Sequence, residues 1–201
     1  MSPVDAVIIV AGGRSSRFGS DKLQHRLDGR TLLERTVDAA RSCGPVVLVT
    51  AGEVPPGVQV ALSEHPRWGG PCAAIAAGLD GVDAVVAAGA PPGDALILPA
   101  DLADPDATVS ALLSADSGVL TDEDGQPQWL LARAPILVLR ARVAELRASG
   151  APLAGLPARD LLGTLPGRVP AAAAACADID TRDDAAEARR LYSKELAHGT
   201  V

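Results

Sequence analysis

Aromatic side chains are almost absent from this sequence, where they make up 2% of the 201 residues. Large planar side chains therefore cannot fill the interior, and the core must be built from Ala, Val, Leu and Ile. This length suits one α/β domain and is sufficient to bury a real core. The scarcity of aromatic residues thus constrains how the core is packed without arguing against a folded domain.

Cysteine and histidine are also scarce, with three of each. Cys43, Cys72 and Cys176 are far apart and lack the spacing of metal ligands, which is typical of reduced, mostly buried thiols in a cytoplasmic protein. The histidines do not form a plausible zinc set either. We therefore expect neither a disulfide framework nor a structural zinc site, and a cytoplasmic location.

Long apolar runs and excess positive charge are missing too. The first apolar run is too short for a signal peptide and follows Asp5, and no segment approaches membrane-spanning length. The formal net charge of −7 argues against general binding to nucleic acid or to an anionic membrane. Residues 11–30 are an exception, with five basic residues against two acidic ones. An acidic protein with one basic segment suits a small anionic ligand.

That basic segment follows a predicted buried strand at residues 6–10. Gly12 and Gly13 let the backbone turn sharply and approach a ligand closely, and Arg14, Arg17 and Lys22 add positive charge. A strand, a glycine loop and cations together favour a site for phosphate oxygens. The spacing matches neither the dinucleotide-binding nor the P-loop glycine pattern. A solvated glycine turn with surface arginines is the alternative.

Residues 10–22 resemble the signature of the molybdenum cofactor guanylyltransferases, in the nucleotidyltransferase superfamily. The matching positions are Val10 (in place of Leu), Ala11, Gly12, Gly13, Ser15, Arg17, Phe18, Gly19, Asp21 and Lys22. The resemblance implies a single-domain, Rossmann-like, three-layer α/β/α fold with a mostly parallel sheet. It also implies catalytic roles for Arg17 and Lys22, and nucleotide contacts from Val10, Ala11, Gly12, Gly13 and Lys22.

The first half of the chain has the pattern of a parallel βαβ unit. Thr31 and Glu34 form a capping box before a helix that should end at Ser42 or Cys43. Further strands are predicted at residues 46–50, 58–62 and 95–99. A helix over residues 72–79 should begin with Pro71 and end before Gly81.

In the second half, strands at residues 118–121 and 128–132 flank an Asp-Gly turn. Helices are predicted from Pro105 to about residue 115, over residues 135–149 and 158–162, and from Arg182 to about residue 196. No domain boundary is evident. We expect one domain over residues 1–201, with a nucleotide-binding half at about 1–105 and an acceptor-binding half at about 106–201.

Polar residues follow the predicted strands at Thr50, Glu64 and Asp101. Ligands of open α/β sheets bind beyond the carboxyl ends of the parallel strands, so these residues should meet along one crevice. Asp101 follows an apolar strand, where a carboxylate suits Mg²⁺. The alternative is a helix cap for the helix at Pro105. The resemblance implies that Asp101 binds both the nucleotide and magnesium and acts in catalysis, although the neighbouring family Cys and Pro are absent here.

The segment after Glu64 resembles the family's Gly-Pro segment near the nucleobase. The resemblance implies nucleotide contacts from Thr50, Glu64, Gly70 and Pro71, with the Glu64 carboxylate accepting from the guanine edge. Glu64 as a solvated loop acid is the alternative. Trp68 and Trp129 are candidates either for stacking on a base or pterin or for the core.

Asp178 and Asp180 flank Ile179, so in an extended segment both carboxylates point the same way while Ile179 packs inward. Two such carboxylates repel each other unless a cation or hydrogen-bond donors lie between them. The alternative makes Asp180 or Thr181 the cap of the last helix. The family has Asn at these positions and uses the segment near the acceptor. We expect one carboxylate of the pair to lie near Asp101 and to bind the metal, and we favour Asp180 over Asp178.

The resemblance implies an enzyme that transfers GMP from Mg²⁺-GTP to the phosphate of molybdenum-molybdopterin and releases pyrophosphate. GTP and a molybdopterin-type acceptor are the expected partners of a monomer or weak homo-oligomer, together with other proteins of molybdenum cofactor biosynthesis. One alternative is transfer of CMP to the same cofactor, or of a nucleotide to a sugar phosphate. Another is a nucleotide-binding regulatory domain without catalysis.

Overall fold

The computed structural model describes residues 4–12, 22–86 and 91–198, with the backbone alone for 191–198. Within these ranges, regular elements alternate along the chain, with a 3₁₀ helix at Lys22–Gln24. The strands are β1 (Ala6–Ala11), β2 (Arg26–Leu27), β3 (Arg30–Thr31), β4 (Val46–Thr50), β5 (Val60–Leu62), β6 (Asp94–Pro99), β7 (Gly118–Thr121), β8 (Pro127–Pro135) and β9 (Arg168–Pro170). The helices are α1 (Leu32–Ala40), α2 (Pro71–Val82), α3 (Pro105–Leu113), α4 (Ile136–Ala148), α5 (Ala158–Leu162), α6 (Ala173–Cys176) and α7 (Arg182–His198).

Seven of these strands form one sheet in the order β5-β4-β1-β6-β8-β7-β9. β1 lies at the centre of four parallel strands and pairs with β4 on one side and β6 on the other. β8 pairs antiparallel with both β6 and β7, while β7 and β9 are parallel. The expected mostly parallel sheet is confirmed. Its four parallel strands place their carboxyl ends along one edge.

Helices cover both faces of this sheet. One apolar cluster joins Ile8 and Val49 to the inner sides of α2, α4 and α5. A second joins Ile9 and Leu48 to α1 and α3. Parallel strands are buried on both faces in such a three-layer arrangement, which explains why their sequences read as continuous apolar runs. The expected α/β/α layering is confirmed.

Local signals located most helices correctly. Thr31 and Glu34 form the predicted capping box of α1, and Pro71 opens α2. The end of α2 was predicted wrongly, because the helix continues through Gly81 to Val82. A Cβ on Gly78 would lie 2.4 Å from Ile8 Cγ2, and one on Gly81 would lie 2.5 Å from Leu62 Cδ2. These glycines therefore allow close helix–sheet packing and do not end the helix.

Replacing Gly78 by alanine is expected to destabilise the protein by about 1–3 kcal/mol, because the added methyl group overpacks the buried contact with Ile8. Chemical denaturation measures the loss in unfolding free energy. Gly52→Ala is the matched control, since a Cβ there has ordinary contact with the Thr50 side chain at 3.5 Å. Equal stability of the two variants would contradict the packing role of Gly78.

The strand predictions missed β9 and the two-residue strands β2 and β3. In addition, β5 begins at Val60 and not at residue 58 as predicted. These elements have too few residues to show an alternating pattern. β9 exists because Val119–Thr121 of β7 offers it an edge for parallel pairing. Such pairing is decided by a neighbour distant in sequence.

Within the described residues, Cys43, Cys72 and Cys176 are free thiols, two of them buried. Burial raises the pKa of Cys72 to about 11, so this thiol stays protonated and unreactive near neutral pH. Among the described helices, none is both long and apolar enough to cross a membrane.

Candidate active site

We use the name crevice for the edge of the sheet at the carboxyl ends of the four neighbouring parallel strands β5, β4, β1 and β6, where the ligand site was predicted. Each of these strands ends at or before one of the candidate residues: β5 before Glu64, β4 at Thr50, β1 before Gly12 and β6 before Asp101. Val10 and Ala11 form the buried end of β1, and Ala11 is in register with Thr50. The structure thus brings these sequence-distant positions to one edge.

Gly13 and Arg17 belong to residues 13–21, outside the described part of the chain.

Lys22 lies between two carboxylates. Its Nζ is 2.5 Å from Asp101 Oδ2 and donates a hydrogen bond to Asp180 Oδ1 at 2.7 Å. The side chains of Lys22 and Asp101 are 15% and 16% exposed. Burial acts to lower the pKa of Lys22, but the ion pairs with Asp101 and Asp180 outweigh burial and raise that pKa. The ammonium is therefore held in its charged form.

Asp178 completes a cluster of three carboxylates, with Asp101 and Asp180, whose oxygens lie within 4.8 Å of one another. Burial raises the pKa of Asp178, and repulsion from Asp101 and Asp180 raises it further. Oxygen-rich, negatively charged groups at this separation are the donor set of a hard divalent cation. The cluster fits the chemistry of Mg²⁺ coordination.

Two short backbone contacts explain why these distant aspartates meet. Leu102 and Asp178 form an isolated antiparallel bridge. The N–H of Ile179 donates to the Asp101 carbonyl at 2.9 Å, and the N–H of Ala103 donates to the Ala177 carbonyl at 3.0 Å. Ile179 is fully buried, as predicted. The prediction that one of the pair lies near Asp101 is confirmed, and both do.

The helix caps are Asp104 and Thr181, and Thr181 is one of the two caps that the sequence offered for the last helix. Asp104 caps α3 by accepting a hydrogen bond from the N–H of Ala107 at 2.9 Å. Thr181 caps α7 by accepting from the N–H of Asp184, and the Asp184 carboxylate accepts in return from the N–H of Thr181. The capping side chains are thus Asp104 and Thr181, while Asp101 and Asp180 face Lys22.

Glu64 lies at the other end of the crevice. A Cβ on Gly12 would lie 3.6 Å from Glu64 Oε1, so this carboxylate borders Gly12. Burial raises the pKa of Glu64, and the backbone amides of Trp68 and Gly69 oppose that rise. Glu64 is therefore a partly buried carboxylate between Gly12 and the loop that leads to α2.

The Gly-Gly-Pro segment is fixed by the second half of the chain. Gly70 precedes α2 with a φ of 85°, which favours glycine. The N–H of Gly155 donates to the Gly69 carbonyl at 2.8 Å, and Cys72 Sγ donates to the Pro157 carbonyl at 3.1 Å. Residues 155–157 thereby border the crevice, a contribution that no local sequence signal indicated.

Thr50 and Trp129 have local structural roles. Thr50 Oγ1 accepts from the N–H of Gly52 at 3.0 Å and so stabilises the turn after β4. Trp129 packs against the apolar cluster beneath α2, α4 and α5, and the Arg168 guanidinium lies 5.0 Å from the centroid of its ring. Of the two tryptophans considered for stacking, Trp129 is thus associated with the core.

A family model described as "MobA-like NTP transferase domain" matches residues 7–168, which include the crevice from β1 to Gly155. The chain belongs to the MobA-like NTP transferase family. The match covers most of the chain and confirms the family resemblance of the glycine loop. It also supports nucleotidyl transfer as the general class of activity.

One individual relative is similar in sequence and two are similar in structure. The "Probable molybdenum cofactor guanylyltransferase" of Aquifex aeolicus is 37% identical over 51 residues, covering 25% of each protein. Molybdopterin-guanine dinucleotide biosynthesis protein A from Archaeoglobus fulgidus superposes with a TM-score of 0.64, at 18% identity over 94% of this chain and 99% of that one. The 2-C-methyl-D-erythritol 4-phosphate cytidylyltransferase of Thermus thermophilus gives 0.60, at 20% identity over 95% and 99%. The two superpositions establish the shared fold.

Proposed function

We propose that this protein transfers GMP from GTP to the phosphate of a molybdopterin-type acceptor and releases pyrophosphate. The observation that carries the proposal is the Lys22–Asp101–Asp180 cluster at the carboxyl edge of the sheet. It combines a cation for phosphate with carboxylates for a metal, at the edge of the sheet where β1 leads to Gly12. The name of the Aquifex relative supports guanine as the base and the molybdenum cofactor as the product.

Asp101 and Asp180 are the proposed protein ligands of Mg²⁺, and Asp178 is near enough to contribute through a bound water. Their oxygens, all within 4.8 Å, fit a cation that binds one or two carboxylates and completes its shell with water and phosphate. When bound, Mg²⁺ would neutralise part of the negative charge that develops on the phosphates.

The reaction requires positioning and charge neutralisation more than a protein nucleophile. A phosphate oxygen of the acceptor forms a bond to the α-phosphorus of GTP, and the bond from that phosphorus to the β-phosphate oxygen breaks. The electron pair of the broken bond leaves with pyrophosphate. The Lys22 ammonium would stabilise the phosphates, and the amides around Gly12 would hold them. Arg17 remains a predicted catalytic residue outside the described ranges.

Pyrophosphate release in the presence of molybdopterin is the test of this function. GTP is expected to support turnover well above CTP, ATP and UTP. A preference for CTP would support the cytidylyltransferase alternative. Turnover with a sugar phosphate but not with molybdopterin would identify the sugar phosphate as the acceptor. Binding of GTP without pyrophosphate release in the presence of acceptor would favour the regulatory alternative. Any of these last three results would overturn the proposal.

Guanine selectivity is expected to depend on Glu64 and the backbone near Gly70. Glu64→Gln replaces one carboxylate oxygen by an NH₂ donor, which mismatches the donor edge of guanine by about 1–3 kcal/mol. The ratio of kcat/KM for GTP to that for CTP should fall accordingly. Glu53→Gln, at an exposed acid after β4, is the matched control. An unchanged ratio in Glu64→Gln would refute the base-reading role of Glu64.

A further inference from the structure

Trp68 combines two unusual features. In a protein with few aromatic residues, Trp68 is 46% exposed as a residue. Its backbone has a φ of 65°, a left-handed conformation that is a genuine outlier for a bulky side chain. Such conformations cost free energy and persist where the surroundings enforce them, often at ligand sites. Neither feature is explained by packing of the core.

The backbone at Trp68 is fixed at the rim of the crevice. The Glu64 carboxylate, earlier in the same loop, borders Gly12, and the backbone amide of Trp68 favours its charged form. The next residue, Gly69, donates its N–H to the Pro66 carbonyl at 3.0 Å and accepts from the N–H of Gly155. The turn is therefore held from both halves of the chain. This preorganisation reduces the conformational entropy that the loop would lose on binding a ligand.

The indole itself is partly covered. The Arg67 guanidinium lies 5.0 Å from the ring centroid, within the range of a cation–π contact. An aromatic ring has a second face, and the exposure of Trp68 leaves room for a planar group. A ring bound there would complete a stack of guanidinium, indole and ligand.

The strand order gives the distance from the phosphate end of the proposed site to this rim. Asp101 follows β6 and Trp68 follows β5, three strands away, which corresponds to roughly 14 Å across the sheet. A nucleotide whose phosphates lie near Gly12 and Asp101, and which extends over β4 towards β5, would bring its base end to Trp68.

We propose that Trp68 stacks on the nucleobase of the donor nucleotide. The stacking supplies a part of the binding free energy that depends little on which base is bound. This inference rests on the proposed nucleotide-binding function. Stacking on a π-face does not discriminate strongly among bases, so selectivity belongs to edge contacts such as those predicted for Glu64. Trp68 would thus set affinity for nucleotides as a class.

The presence of two tryptophans allows a direct spectroscopic test. In Trp129→Phe, Trp68 is the remaining indole, and its fluorescence should be quenched by GTP but not by inorganic triphosphate, which lacks a base. In the matched control Trp68→Phe, the fluorescence of Trp129 should not respond to GTP. Trp68→Ala should weaken GTP binding about tenfold to a hundredfold by calorimetry, with triphosphate binding unchanged. Trp68→Phe should retain most of the affinity.

Several outcomes would overturn the inference. GTP binding by calorimetry without a change in Trp68 fluorescence would exclude stacking while leaving the proposed function intact. Quenching by a free pterin but not by GTP would assign Trp68 to the acceptor. If calorimetry detects no GTP binding to the wild-type protein, both the proposed function and this inference fail.

Discussion

Lys22→Ala is expected to lower nucleotidyl transfer by about two to three orders of magnitude, the effect of losing one preorganised charge donor. The ammonium is held charged between Asp101 and Asp180, so it is already in place when phosphates arrive. The measurement is pyrophosphate release at saturating GTP and acceptor. Arg30→Ala is the matched control, since it removes an exposed cation from the same basic segment. Turnover of Lys22→Ala equal to that of this control would remove Lys22 from the site.

The burial of Lys22 adds a second measurable effect. Although it follows the glycine loop, its side chain is mostly buried, so its removal leaves Asp101 and Asp180 adjacent without this ammonium. The nucleotide-free variant should therefore bind Mn²⁺ more tightly than the wild-type protein, as measured by the electron paramagnetic resonance signal of free Mn²⁺. Thermal denaturation verifies that the variant is folded. Weaker Mn²⁺ binding by folded Lys22→Ala would contradict competition between the ammonium and the metal.

Asp101→Asn is expected to abolish most turnover at low Mg²⁺ and to recover part of it at high Mg²⁺. An amide is a poorer ligand for a hard cation than a carboxylate, while much of the GTP affinity should remain. The measurement is turnover as a function of Mg²⁺ concentration. Asp106→Asn, on the exposed side of α3, is the matched control. If Asp101→Asn behaves like this control at low Mg²⁺, the metal is bound elsewhere.

Local sequence signals were sufficient wherever an element is stabilised by its own residues. The capping box of Thr31 and Glu34, the first-turn proline of α2 and the Asp-Gly turn before β8 are all present as predicted. The buried parallel strands were recognisable because both of their faces pack against helices, which requires continuous apolar runs. The glycine loop was identified by its resemblance to a family signature.

Several members of the candidate site were predictable from the sequence, but their contacts were not. That Asp101 follows a strand end indicated its edge of the sheet, and the alternation at Asp178, Ile179 and Asp180 indicated a shared face. The direct ion pairs of Lys22 with Asp101 and Asp180 were not predicted, since they join residues separated by up to 158 positions. Similarly, the closure of the Gly69 loop by Gly155 had no local signal.

The sequence by itself thus determined the α/β class, most helix starts and the edge of the sheet where the candidate site lies, because capping and burial pattern are properties of short segments and parallel strands share one carboxyl edge. Tertiary structure alone decided that Gly78 and Gly81 lie within a helix, that β9 pairs with β7, and that Asp178 joins the carboxylate cluster. Each of these depends on a partner distant in the chain. Packing that leaves no room for a methyl group, an open strand edge and a neighbouring charge each arise only once the chain has folded.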